Sequence, residues 1–200
     1  MRYQQGIWLP DKDTASFWSD EYEKRDYNKL NLSGDVCLDI GAHVGIWTKR
    51  LSMDFSQVIC FEPLSMHREC HEENCKGLNN ITLHEYALSD IETKAIMTTK
   101  DKNSGMSSLE KKRFRNKKEV FVKTKTLDSF NFDKIDFMKI DVEGHGYKVL
   151  KGGRETILRC KPRIFIEMWG SEFDKTSQLL EEFGYTVNKI SRQNYICEAL

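Results

Sequence analysis

The chain is 200 residues long, with 31 Lys and Arg set against 31 Asp and Glu. That length suits one domain with a sizeable buried core, and a formal charge of zero excludes a global field for gripping nucleic acid or an anionic membrane. No apolar stretch approaches the roughly 18 residues needed to span a bilayer, and the opening MRYQQGIWLPDKD lacks the apolar run of a secretory signal.

Residues 1–34 scatter Trp8, Phe17, Trp18, Tyr22 and Tyr27 through a charged background, the pattern of a helical arm packed on the domain, with Gly34 breaking the chain before the first strand. Stapling the arm to the core is the simpler role for Trp8, Trp18 and Tyr22, and stacking on a sugar ring is the alternative. The domain proper is expected over 35–200.

VCLDIGAHVGIWT (36–48) then reads as a buried strand, a tight glycine turn and a helix, and QVICFEP (57–63) as a second buried strand closing on an acid, Glu62, 23 residues after Asp39. A parallel sheet of this kind holds a nucleotide-like ligand where its first strand meets its first helix, and an acid ending the second strand can bind ribose hydroxyls. Asp39-x-Gly41-x-x-x-Gly45 lacks the paired glycines of a pyrophosphate loop. An acid two residues before the first glycine suits a positively charged ligand. S-adenosylmethionine, with ribose, adenine, ammonium and sulfonium, fits these features.

A helix is expected near 64–76. It carries His67, Cys70, His71 and Cys75, which could present metal ligands, but no second cluster with regular spacing accompanies them, so packing is the preferred reading and no metal is expected. After a strand-like run at 81–88, residues 91–126 form an insertion of two extended pieces around the polar loop DKNSGMSSLEKKRFRNKK; loops of such length are usually functional or disordered. Its run KKRFRNKK (111–118) is either a solvated loop or a clamp for an anionic acceptor.

The segment IDFMKIDVEGHGYKVLKGG (135–153) places Lys139 and Asp141 on one face of a strand, about 6–7 Å apart, with Glu143, Gly144 and His145 crossing into a helix expected over 146–158. It reads either as an acid–base cluster or as an ion pair, a helix cap and a surface histidine. A strand at 163–168 follows, ending near Glu167, and then a helix over 171–183 with Phe173, Thr176, Leu180 and Phe183 on one face and Gly184 as its stop. YTVNKI and NYICEAL form a closing antiparallel hairpin about Ser191–Gln193. The alternation argues for an open α/β sheet with helices on both faces, and four of its strands deliver an acid near the carboxyl end: Asp39, Glu62, Asp141 and Glu167. Of six cysteines, Cys37, Cys60 and Cys160 fall in or beside apolar strand-like runs, which points to a reduced, cytoplasmic compartment.

LDIGAHVGIWT (38–48), FEP (61–63), YALSD (86–90), NSGMSSL (103–109), KTLDSF (125–130), FMKIDVEGHGYKVLKGG (137–153) and IFIEM (164–168) together resemble the FkbM-type branch of class I S-adenosylmethionine-dependent methyltransferases. The resemblance implies a Rossmann-like, mostly parallel seven-stranded sheet and methyl transfer to a hydroxyl oxygen, commonly on sugars or natural products. It implies that Asp39, Gly41, Ala42, His43 and Gly45 form the turn under the cofactor, that Glu62 holds the ribose, and that Tyr86 and Ala87 lie near the adenine. Asp141, Glu143 and Glu167 fall on acidic positions facing the acceptor, beside Lys139 and His145; which one removes the proton is left open. His145 and Gly146 depart from the family pattern, and the arm lies outside the matched region. The expected acceptor is a small molecule or glycan, with nucleic acid disfavoured. Methylation of another hydroxyl or a carboxyl group, and a non-catalytic binding module on this fold, are the alternatives. Nothing in the sequence speaks to oligomeric state.

Overall fold

The structure, a computed structural model, describes residues 1–13, 26–100, 102–110 and 117–200, with the side chain of Ser171 left out. Phe17, Trp18, Tyr22 and positions 111–116 of the basic run lie outside the described residues.

The centre is a seven-stranded sheet in the order β11-β12-β10-β9-β3-β4-β5. Its strands are β3 (Gly34–Ile40), β4 (Phe55–Phe61), β5 (Ile81–His84), β9 (Phe137–Ile140), β10 (Arg163–Glu167), β11 (Tyr185–Ser191) and β12 (Asn194–Ala199). β3, β4, β5, β9 and β10 are parallel, while β12 runs antiparallel to both β10 and β11, so the C-terminal hairpin closes one edge. The central strands are apolar because both faces are covered. Leu38, Ile40, Met138, Ile140, Ile164 and Ile166 are buried in one cluster, and Cys37, Val58, Cys60, Phe137 and Phe165 in another. Each such side chain contributes about 1.5–3 kcal/mol by leaving water.

The helices are α1 (Ile46–Asp54), α2 (Ser65–Asn74), α3 (Gly146–Lys151), α4 (Arg154–Cys160) and α5 (Gly170–Glu182). The single helix expected over 146–158 is two. It breaks at Gly152–Gly153, where the chain presses against the loop residues Ser89 and Leu127: a Cβ on Gly152 would lie 2.0 Å from Ser89 O, and one on Gly153 2.7 Å from Leu127 Cδ2. α5 matches its sequence pattern, with Thr176, Leu180 and Phe183 buried and Gly184 at φ 81° ending it.

The insertion folds as a hairpin of β7 (Thr93–Lys100) and β8 (Lys117–Lys125), which β6 (Ala87–Leu88) joins to make a three-stranded sheet. The run 81–88 is therefore divided between two sheets. Leu64, Met97 and Val122 pack this layer onto the domain. The start of the arm is not helical: β1 (Arg2–Gln4) and β2 (Ile7–Leu9) form a hairpin turning at Gln5 and Gly6, both at positive φ. Trp8 is fixed to α2 through main-chain bonds to the Asn74 amide (2.7 and 3.0 Å), which agrees with stapling. Residues 26–30 are helical. All six cysteines are free, and no helix among the described residues is long and apolar enough to cross a membrane.

Candidate active site

The chain order of the parallel strands reverses between β3 and β9, and open α/β sheets bind ligands beyond the carboxyl ends of their strands at such a point. There the chain leaves β3 through Gly41 at φ 80°, whose missing Cβ would otherwise sit 1.9 Å from Asp141 O. The N–H groups of Gly41 and Ala42 both donate to Phe61 O (3.0 and 3.1 Å), folding the turn back over the end of β4. His43, also left-handed at φ 49°, then donates its N–H to Glu62 Oε2 at 3.0 Å.

Glu62 is buried and heavily bonded. Its Oε1 accepts from the Leu64 N–H (2.9 Å) and from His67 Nδ1 (3.1 Å). Burial opposes ionisation, yet the adjoining His67 ring and the main-chain donors of Leu64 and His43 hold its carboxyl below the ordinary value of 4.5. Three of the four lone-pair positions of this carboxylate are thus taken by the protein.

A cavity of about 260 Å³ opens beside this wall. Gly41, His43, Glu62 and Ala87 from the expected cofactor set line it, and so do Asp141, Glu143, His145 and Glu167 from the expected acid–base set. Asp141, Glu143 and Glu167 can each place an oxygen within 4.8 Å of the others. Carboxylate oxygens gathered so closely are ligands for a cationic group or a hard divalent cation. Among the described residues no histidine–cysteine set groups in this way.

The other expected residues stand elsewhere. Asp39 is wholly buried and does not line the cavity; its oxygens accept from Lys139 Nζ (3.0 Å) and Thr48 Oγ1 (2.7 Å). Lys139 also donates to Gly41 O at 3.0 Å and lies 3.7 Å from Asp141 Oδ2. These two residues form a buried pair under the turn rather than a surface for ligand. Ala42 is buried, and Gly45 packs on α2, where a Cβ would meet His71 and Cys75 at 2.9 Å. Tyr86 faces Lys125, whose Nζ lies 5.2 Å from its ring centre. His145 reaches the cavity wall, but both ring nitrogens are engaged, Nδ1 with Glu110 Oε1 (2.8 Å) and Nε2 with Ser89 Oγ (3.0 Å). Burial depresses its pKa below 6.5 despite the pull of Glu110. It is a tie between elements rather than an available base.

Sequence reasoning missed the residues that hold the insertion over the cavity. Asp13, buried in the arm, accepts from the Ser104 N–H (3.1 and 3.2 Å) and from Ser104 Oγ (2.5 Å), which fixes the cavity-lining turn Ser104–Met106. Ser108 Oγ donates to Glu143 O at 2.7 Å, and Glu110 accepts from Lys148 Nζ at 2.9 Å as well as meeting His145. Loop length and the NSGMSSL piece (103–109) of the family resemblance were the signals for this wall. His67, read as packing, lines the cavity too.

Residues 39–187 match the model of the methyltransferase FkbM domain. The chain belongs to this family. Among solved structures, an FkbM methyltransferase from Methylobacillus flagellatus KT superposes with a TM-score of 0.58 at 18% identity, covering 84% of this chain. The present chain spans only 44% of that protein's length. A precorrin-6y C5,15-methyltransferase from Geobacter metallireducens GS-15 gives a TM-score of 0.55 at 16% identity, over 96% of this chain and 90% of its own. Magnesium protoporphyrin IX methyltransferase from Synechocystis PCC 6803, solved with bound SAM, gives 0.51 at 12% identity, over 90% and 77%. At these identities the likeness is one of fold. No curated protein matched the chain.

Proposed function

We propose that the chain transfers a methyl group from S-adenosylmethionine to a hydroxyl oxygen, with a carbohydrate as the acceptor class. The observation that carries this reading is the gathering of Asp141, Glu143 and Glu167 in the wall of the cavity that Gly41 and Glu62 also line. The site's acceptor-rich chemistry fits the cofactor: a negative cluster suits a sulfonium, and Glu62 suits a ribose hydroxyl. When bound, S-adenosylmethionine supplies an electrophilic methyl group on a cationic sulfur.

An alcohol is a poor nucleophile until it loses its proton, so the protein's task is to accept that proton and hold the oxygen in line with the methyl carbon. One carboxylate of the cluster takes the proton, and the others orient neighbouring hydroxyls, which carboxylates bind well. Asp141 and Glu143 rank first, since they border the cofactor turn, and Lys139 acts on them through Asp141. The carbohydrate reading rests on this acidic wall and on the family resemblance. Six free thiols suit a cytoplasmic enzyme.

The test combines calorimetry with S-adenosylmethionine and incorporation of labelled methyl into glycan and nucleotide-sugar pools. Asp141→Asn, Glu143→Gln and Glu167→Gln should include one variant whose kcat falls about 10²–10⁴-fold with cofactor affinity nearly unchanged. If all three stay within about threefold of wild type in kcat, the cluster holds no general base. A protein that binds no S-adenosylmethionine at micromolar concentration is the non-catalytic module.

A further inference from the structure

A ribose offers two vicinal hydroxyl donors, and the carboxylate expected to receive both cannot do so here. Glu62 already accepts from the His43 N–H, the Leu64 N–H and His67 Nδ1, which leaves one lone-pair position, on Oε2. Either an internal bond breaks on binding, or the second hydroxyl finds another acceptor.

That acceptor is at hand. His67 is 2% exposed and lines the same cavity. A carboxylate can only accept, so Nδ1 carries the proton shared with Glu62; with that proton alone on the ring, Nε2 presents a lone pair. Nε2 is buried and has no hydrogen-bond partner among the described residues. Its neighbour one turn along α2 shows the contrast: His71, equally buried, pairs its Nε2 with Thr48 Oγ1 at 3.0 Å. Nearly all buried polar groups in folded proteins are bonded, and one that is not, in the wall of a ligand cavity, calls for an explanation. The His43 ring packs edge-on against His67 with centroids 4.2 Å apart, on the same cavity wall.

We propose that His67 is a cofactor-binding residue whose Nε2 accepts one ribose hydroxyl of S-adenosylmethionine while Glu62 Oε2 accepts the other. This rests on the proposed cofactor. It makes diol recognition a property of two side chains, and it assigns His67 a role beyond the packing of α2.

The experiment is a cycle in protein and ligand. Calorimetry measures the affinities of wild type and His67→Phe for S-adenosylhomocysteine and for its 2′-deoxy and 3′-deoxy forms. Wild type should bind each deoxy form at least about tenfold more weakly than the parent, one for the lost bond to Glu62 and the other for the lost bond to His67, the form followed in the variant. His67→Phe should lose about tenfold for the parent and show no further loss for that same deoxy form. The cycle cancels any general effect of the substitution on Glu62. Penalties that are the same in the variant as in wild type for both deoxy forms overturn the assignment while leaving the cofactor intact, whereas failure of wild type to bind S-adenosylhomocysteine overturns the proposed function and this inference with it. A measurement on wild type alone covers the case of a misfolded variant. The His67 Nε2 resonance in a long-range ¹H–¹⁵N spectrum should move upfield on adding S-adenosylhomocysteine and move less with the deoxy form that lacks its hydroxyl; an unmoved resonance refutes the bond.

Discussion

Replacing Lys139 with methionine should unfold this protein more readily than almost any single substitution on its surface. Lys139 Nζ lies 3.0 Å from Asp39 Oδ1, with side-chain exposures of 3% and 0%. Without the ammonium, Asp39 keeps only the Thr48 hydroxyl at 2.7 Å, and a buried carboxylate is left without its counter-charge. Breaking a buried pair from one side costs about 3–5 kcal/mol, set against the 5–15 kcal/mol that a typical domain has in total. Replacing both partners, as Asp39→Leu with Lys139→Met, removes the stranded charge. It still orphans Gly41 O, at about 1–3 kcal/mol, and leaves the Thr48 hydroxyl to His71 Nε2 in place of Asp39, so the double variant should recover part of the loss but not all of it. Urea unfolding followed by circular dichroism reads these values, provided the slope with denaturant stays constant across the series. The reasoning fails if Lys139→Met costs under about 1 kcal/mol, or if the double variant is no more stable than Lys139→Met alone. Either result would mean that the pair is solvated and that Asp39 is open to a ligand after all.

Acid should weaken the fold in two stages. Burial holds His43, His71 and His145 below their ordinary value of 6.5, so the unfolded chain takes up protons first; their stabilisation is complete above pH 6.5 and is lost as the pH falls from there through the folded values. Glu62, held below 4.5, has the same sign at lower pH, and a melting temperature that stays flat between pH 7 and pH 5 would contradict the histidine part. Gly41→Ala should destabilise by about 2–5 kcal/mol, combining left-handed strain at φ 80° with a Cβ 1.9 Å from Asp141 O, and a melting temperature within about 2 °C of wild type would show that the turn relaxes freely.

The parallel core was legible because strands covered on both faces are written as short apolar runs, and because Gly41 and Gly184 mark places where the backbone must turn left. What stayed hidden depended on partners distant in sequence. Asp39 reads as a cofactor acid from its spacing to Gly41, yet the β3–β9 register sets it directly opposite Lys139, one hundred residues away. His145 reads as an available base until Glu110 arrives from the insertion and Ser89 from the position just after β6. The break at Gly152–Gly153 follows from the approach of Ser89 O, which no helical periodicity encodes. The N-terminal hairpin was a different kind of miss. Gln5–Gly6 between two short β-prone pieces is a local turn signal, outweighed in the reading by scattered aromatics and charges.

In the proposed reaction the buried pair would act through geometry rather than through contact with substrate. The Lys139 ammonium touches Asp39 below, the carbonyl of Gly41 on the cofactor side and the carboxylate of Asp141 on the acceptor side. The absent side chain of Gly41 lets the Asp141 carbonyl close against the same turn. From above, the insertion holds the acceptor turn through Ser108 to the Glu143 carbonyl and through Glu110 to His145 and Lys148. The two loops that would bring cofactor and acceptor together are therefore bonded to one another, and neither can shift without moving the other. Methyl transfer needs the attacking oxygen, the methyl carbon and the sulfur in line, and an error near 1 Å can cost about a hundredfold in rate. A fixed frame under both loops meets that need.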